Sequence, residues 1–446
     1  MESADEEPDG KALGLLSASS SCRSARETSR RIVSLRLTTH FQIPVLQLDL
    51  IQTLAFGGIV LFVGHRLCRA IPVLARYNLP SPIVGGLLVA VAVLVARGQG
   101  VPLFQFDTTL QTPLMISFFT CIGLGASLSL LRVGGPQVMM MFVIATVFAV
   151  AQNVVGVGLA KFFGLPPSLG VLAGSITLTG GPATGLAFAP LFEQQGLVGA
   201  SSIAVAMAMA GIVSGGLIGG PVATFLIERH RLFKSNRPVA LDIGGQGASE
   251  PGSKPPLEDD TEYVALKSVI VILVAMWVGS WVSRGCAALG LTLPATIGAM
   301  LAGAAIRNLD DVTGWLRLSQ RSIENVGAVA LSLFLVLAMM TLDLSNLAAL
   351  ALPLVSILVV QILLIAVACL WPVFPMMGRD YQSAVMSGGF AGFMLGTTAN
   401  SVAVMRTLVE RYGPAPRAFL VTPMVGAFFI DFTNALIITG FLNIWR

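Results

Sequence analysis

The chain reads as an all-α membrane protein of about ten transmembrane helices in two inverted five-helix repeats, each with a Gly-rich re-entrant hairpin. Three observations predict this. Of its 446 residues 55% are hydrophobic and only 11% charged, whereas a soluble domain carries roughly a quarter charged residues. Apolar runs of spanning length recur along the chain. Two Gly-rich interruptions break them at matching places in the two halves. The first is Gly174-Ser175-Ile176-Thr177-Leu178-Thr179-Gly180-Gly181-Pro182-Ala183-Thr184-Gly185. The second runs from Ser387-Gly388-Gly389 through Gly392 to Gly396-Thr397-Thr398-Ala399-Asn400-Ser401.

A broken helix inside a bilayer leaves N–H and C=O groups without partners, which is tolerated only where protein or a water-filled cavity takes them up. A matched pair of such breaks points to a transporter binding site. The 47 glycines fit helices that approach one another closely.

Residues 1–46 open acidic, turn Ser/Arg-rich and contain no apolar run long enough for a signal peptide or a span. They are read as a disordered N-terminal extension. Apolar runs, most of them near the 17–25 residues a bilayer requires, follow near 49–70, 81–97, 113–131, 137–163 and 200–227. After a polar linker, 228–262, come 264–287, 293–306, 327–344, 347–371 and 416–441. The first membrane repeat is therefore 47–227, with its re-entrant segment at 167–192. The second is 263–446, with its segment at 383–408.

Internal matches support a duplication. Leu79-Pro80 before Ile83 corresponds to Leu293-Pro294 before Ile297, and Ser127-Leu128-Ser129-Leu130 to Thr341-Leu342-Asp343-Leu344, both at an offset of 214. Leu191-Phe192-Glu193 with Gly196 corresponds to Leu408-Val409-Glu410 with Gly413, at an offset of 217.

Five spans per half, an odd number, make the repeats inverted. With the N-terminus outside and the linker cytoplasmic, 17 basic residues fall on the inner side and four on the outer, leaving out 1–46. That is the positive-inside pattern. Full crossing of both Gly-rich segments would place Arg66–Arg76 and Arg229–Arg237 on opposite faces.

Half-helix N-termini suit a carboxylate, while hydroxyls and carbonyls suit Na⁺. Thr177, Thr179 and Thr184 in the first hairpin, and Thr397, Thr398, Asn400 and Ser401 in the second, supply oxygens. Gly180, Gly181 and Gly396 let the backbone approach a ligand. Asp431 is the only acid deep in the last span, and an intramembrane carboxylate is a functional-site candidate by default. Its roles could be Na⁺ binding, proton relay or pairing with a buried arginine; Asn434 follows it one turn later. Gln152-Asn153, inside the fourth run, could satisfy a broken hairpin backbone or bond between helices. Thr177, Asn153, Asp431 and Asn434 are the Na⁺ candidates.

Enzyme chemistry is not supported. His40, His65 and His230 lie at edges or in loops, so no intramembrane Ser-His pair exists. No phosphate-binding loop or dinucleotide fingerprint occurs, and no feature points to nucleic acid. The five cysteines form no CxxC pair and read as packing residues.

From about residue 48 onward the chain resembles the bacterial sodium/glutamate symporter family. The resemblance rests on Gly174–Gly181, Gly215-Gly216-Leu217-Ile218-Gly219-Gly220-Pro221-Val222-Ala223, Leu331-Ser332-Leu333-Phe334-Leu335 and Met424-Val425-Gly426-Ala427-Phe428-Phe429-Ile430-Asp431. It implies two inverted five-span halves, two re-entrant loops, Na⁺ as coupling ion and L-glutamate uptake across the bacterial inner membrane. The ligand would lie between the hairpins, and a membrane homodimer is compatible with this architecture.

The chain departs from the family pattern in the hairpins. Pro182-Ala183 stands where the family typically has His-Gly, and Phe390, Ala391 and Met394 replace a His, a Cys and a Gly. Two further readings are therefore kept: a Na⁺-coupled transporter of another small carboxylate or amino acid, and an uncoupled channel or facilitator.

Overall fold

The computed structural model describes residues 46–444 apart from 77–78, 99–103, 233–257, 289–292 and 343–349. The expectations for the N-terminal extension, most of the linker and the Asp343 match lie outside the described residues.

Among these residues seven helices are long and apolar enough to cross a membrane, and three shorter apolar helices accompany them. In chain order the elements are β1 (Leu46–Leu48), α1 (Leu50–Ala70), α2 (Ser81–Gly98), β2 (Phe104–Phe106), α3 (Gln111–Gly125) and α4 (Gly135–Phe162). Then come α5 (Pro167–Ile176), α6 (Gly181–Gln194) and α7 (Ala200–Arg229). The second half holds α8 (Glu258–Ala288), α9 (Ala295–Thr313), α10 (Gln320–Met340) and α11 (Ala351–Met376). It ends with α12 (Tyr381–Met394), α13 (Thr398–Tyr412) and α14 (Pro416–Ile444). The parallel pair β1–β2 is the one departure from an all-α fold among the described residues. It lies under Phe56, whose ring packs on Phe104 and Phe106.

The helices sort into two bodies that cut across the sequence halves. In one, α3 packs on α9 and α10, α8 on α9, and α1 and α2 on each other and on α10. In the other, α7 packs on α6, α12 and α13, and α4 on α5, α11 and α14. Glycines set the close approaches: a Cβ on Gly123 would stand 2.0 Å from the Met300 carbonyl, and one on Gly156 2.2 Å from that of Gly170. Close backbone approaches between the bodies are few, mainly where α6 meets α10 and α14 meets α9 and α3, and a buried apolar cluster, with Phe119 edge-on to Phe188, fills the seam.

Polar caps hold the helix ends. Asp311 ion-pairs with Arg307 at 3.1 Å and accepts from Ser129 at 3.0 Å and from Ser127. This ties the Ser127-Leu128-Ser129 motif of the first half to the end of α9. Burial works against ionisation of Asp310, but the N–H groups of Leu318, Leu316 and Arg317 outweigh it and hold its carboxyl below the usual range. At the head of α12, Asp380 forms a capping box with Ser383 and pairs with Arg417 at 2.7 Å.

Candidate functional site

Both Gly-rich segments fold as helix–break–helix units, and their breaks meet. The first, α5–α6, turns at Thr177–Gly180. The second, α12–α13, turns at Leu395–Thr397. A Cβ on Gly181 would lie 3.5 Å from the Gly396 carbonyl and 3.6 Å from Thr397 Cγ2. Gly181 also has φ +67°, a conformation that favours glycine. The return arms α6 and α13 both start here, so two helix N-termini with free N–H groups come together. Thr397 caps α13, its hydroxyl accepting from the Asn400 N–H at 3.3 Å.

A buried polar floor underlies the meeting point. Thr179 Oγ1 donates to Gln152 Oε1 at 2.6 Å, and Gln152 Nε2 donates to the Met394 carbonyl at 2.9 Å. Thus α4 stitches the first break to the second. Gln361 of α11 donates to the Gln152 carbonyl at 2.7 Å.

Beside the floor, α5 is disrupted. Gly174 has φ −97° and ψ −130° within a π-helical stretch, and a side chain there would clash with Asn153 Oδ1 at 2.7 Å. Asn153 Oδ1 accepts from the Ser175 N–H, and Asn434 Nδ2 donates to the Ser175 carbonyl, both at 2.9 Å. Three atoms around that one residue remain buried and unpartnered: Asn153 Nδ2, Ser175 Oγ and Asn434 Oδ1. Leaving such a group unsatisfied costs about 1–3 kcal/mol, so three at one spot call for an occupant. Ser175 Oγ and Asn434 Oδ1 are oxygens that Na⁺ can take. Asn153 Nδ2, being a donor, suits an acceptor on a water or substrate instead.

The structure thus unites many of the predicted residues and separates others. Thr179, Gly180, Gly181, Gly396, Thr397 and Thr398 surround the meeting point, and Asn153 and Asn434 share Ser175. Thr177 does not join them: its hydroxyl donates to the Leu172 carbonyl at 2.8 Å, mending its own arm. The Asn400 amide donates to the Ile212 carbonyl at 2.9 Å and so fastens α13 to α7. Thr184 packs against Gly180, and Ser401 lies a turn below the break, against Gly392. Asp431 sits half-buried one turn before Asn434 on α14, without a hydrogen bond or ion pair among the described residues.

Ser175, Gln361 and the Met394 carbonyl were missed as site groups. Gln361, an amide alone in the apolar run 351–368, carried the signal. The carbonyl has none in sequence. Phe390 is fully buried, stacked edge-on against Phe148 and Phe393. Its bulk fills the core of the second body and does not narrow the meeting point.

Cavities flank the return arms, two of them beside polar residues. One of about 580 Å³ lies in the seam between the bodies, with Gln111, Thr112 and Thr341 facing Pro190, Glu193 and Ser201. The other, about 450 Å³, follows α13 along Thr398, Val402 and Arg406.

Comparison with known proteins agrees. The family model for the sodium/glutamate symporter matches residues 46–414. The chain is 40% identical over 397 residues to the sodium/glutamate symporter of Escherichia coli (strain K12), covering 89% of this chain and 98% of the relative. It is 37% identical over 388 residues to that of Haemophilus influenzae, covering 87% and 95%. Matched over most of its length by both, the chain belongs to the sodium/glutamate symporter family.

Proposed function

We propose that this protein imports L-glutamate across the bacterial inner membrane, driven by Na⁺ and working by alternating access. The observation that carries the reading is the meeting of two return-arm N-termini over a buried amide floor. Free N–H groups of α6 and α13 favour a carboxylate, and the hydroxyls of Thr179 and Thr397 give it orientation. Na⁺ is placed between Ser175 Oγ and Asn434 Oδ1, with Asp431 supplying compensating negative charge from one turn away. Substrate and cation then sit on opposite sides of the first break, so each stabilises the arrangement the other needs.

The few close backbone approaches across the seam suggest the motion. The body holding both breaks moves as a unit against the other, exposing the site to one side and then the other. In this reading the ten sequence-predicted spans form inverted repeats with re-entrant breaks. The N-terminus lies outside, the linker is cytoplasmic, and the protomer pairs as a homodimer in the bilayer. Glutamate is favoured over a bulkier or less polar solute because Phe390 lies away from the meeting point and Met394 contributes its carbonyl there.

The test is uptake of radiolabelled L-glutamate into proteoliposomes with an inward Na⁺ gradient, with a panel of carboxylates as competitors. Accumulation that disappears when choline replaces Na⁺ is expected. Uptake indifferent to the replacement would support an uncoupled facilitator. Na⁺-driven uptake of another competitor, without glutamate, would reassign the solute.

A further inference from the structure

A second set of unpartnered oxygens lies on the far side of α13. Ser401 Oγ on α13 and Thr422 Oγ1 on α14 belong to fully buried residues and have no hydrogen-bond partner. This is unusual within the molecule. Helical hydroxyls normally fold back onto a carbonyl of the preceding turn, as Ser387, Thr407, Thr433 and Thr439 do here. Ser401 and Thr422 forgo that bond although both are cut off from water.

The two hydroxyl residues face one glycine surface. A Cβ on Gly389 of α12 would stand 2.8 Å from Thr422 Cγ2, and one on Gly392 2.6 Å from Ser401 Cα. Gly389 and Gly392 are three residues apart and share a helix face. Thr398, one turn before Ser401, turns its hydroxyl toward Gly426, lying 3.1 Å from the position of a Cβ there. It too makes no hydrogen bond among the described residues.

The backbone of α14 is open at the same level. Pro423 has no N–H, so the Phe419 carbonyl lacks its i+4 donor. A π-helical stretch, Val425–Phe429, follows, a distortion frequent at functional sites. Hydroxyl and carbonyl oxygens without a carboxylate suit a hard monovalent cation. Among the described residues no cluster of His, Cys, Asp or Glu able to hold a metal ion exists, so a divalent ion is not favoured.

We infer that Thr398, Ser401 and Thr422, with free carbonyls of α14, form a second Na⁺ site, separate from the one at Ser175 and Asn434. The chain then carries two cations per substrate. The inference rests on the Na⁺-coupled reading above, and it makes Ser401 a cation ligand.

The experiment combines two readouts on purified protein: the Na⁺ dependence of glutamate uptake in proteoliposomes, and the Na⁺-induced rise in melting temperature without glutamate. The wild type is expected to show a Hill coefficient near two. Thr422→Val and Ser401→Ala should bring it toward one, raise half-saturating Na⁺ by about tenfold, and shrink the Na⁺-induced thermal shift without abolishing it. Thr422→Ser, which keeps the hydroxyl, should behave as wild type, and this separates ligand loss from failure to fold. A wild-type Hill coefficient of one, or variants with unchanged cooperativity and thermal shift, would overturn the second site. Absence of any Na⁺ dependence in the wild type would instead bring down the Na⁺-coupled reading on which it rests.

Discussion

The two helix–break–helix units come from similarly Gly-rich stretches of sequence yet solve the same problem in opposite ways. In the first, the incoming arm α5 is short and broken at Gly174, and the return arm α6 is buried from Pro182 to Ala189. In the second, the incoming arm α12 is a continuous helix, buried at every position but Gln382, with a capping box at its head. Its return arm α13 exposes Ala399, Arg406, Thr407, Glu410 and Arg411. A broken arm cannot pair all of its own backbone, so α5 draws on Asn153 for the Ser175 N–H, and Asn434 adds a third donor to the Ser175 carbonyl beside the Thr179 and Gly180 N–H groups. An unbroken arm takes such help only at its end, where the Met394 carbonyl accepts from Gln152, and α12 is otherwise packed with Phe390 and Phe393. Local helix disruption therefore decides where polar side chains gather, and the Na⁺ site proposed at Ser175 and Asn434 rests on it.

The largest effect should come from removing the help that the broken arm receives. Asn434→Leu removes one of three donors to the Ser175 carbonyl, which keeps the Thr179 and Gly180 N–H groups, and deletes a proposed Na⁺ ligand. Stability should fall by about 0.5–1.5 kcal/mol and half-saturating Na⁺ should rise at least about tenfold; denaturant melts and Na⁺ titrations of uptake read both. Asp431→Asn, which keeps shape but removes charge, should raise the Na⁺ requirement more than it weakens glutamate binding. An unchanged Na⁺ titration in that variant would remove Asp431 from the site.

Gly181→Ala probes the crossing itself. Its left-handed backbone would cost about 1–2 kcal/mol with a Cβ present, and the new methyl would fill the space at van der Waals distance from Gly396 and Thr397 of the second break. Transport should drop by about tenfold or more while the melting temperature moves little. Thr179→Val, which unhooks the floor from Gln152, should weaken glutamate binding by several-fold, about the worth of one hydrogen bond. An equal effect on Na⁺ affinity would show that floor and ion site are one unit.

The smallest effects belong to the rim. The pair between Arg411 and Glu228, 3.9 Å apart and largely exposed, is worth at most about 0.5–1 kcal/mol, so Arg411→Ala should transport normally. Asp380 is more tightly held. Burial raises its pKa, but the Ser383 N–H and hydroxyl and the Arg417 guanidinium outweigh that and keep it below the ordinary value. A depressed carboxylate stabilises the fold above its unfolded pKa of about 3.9. That contribution is lost as pH falls through the lower folded value, and Asp380→Asn should flatten the acid limb of the stability profile.

Much of this was legible in the sequence. The Gly-rich breaks, the asparagines at 153 and 434 and the threonines at 179 and 397 announce themselves as polar or flexible residues in apolar runs. The grouping of helices into bodies did not, because it depends on which glycine faces interlock, as Gly123 does with Met300. The Met394 carbonyl is invisible because every residue carries one. The direction Phe390 faces is hidden for a related reason: its place in a Gly-rich motif does not fix it, and five residues before the break the ring packs into the core on Phe148 and Phe393.

The central claim is that substrate and Na⁺ bind as neighbours around the first break and so bind cooperatively. It is tested most directly by equilibrium binding of labelled L-glutamate to the purified protein across a range of Na⁺ concentrations at constant ionic strength. The account predicts a glutamate dissociation constant that falls steeply as Na⁺ rises, with a blunted fall in Asn434→Leu. A dissociation constant independent of Na⁺ would contradict it.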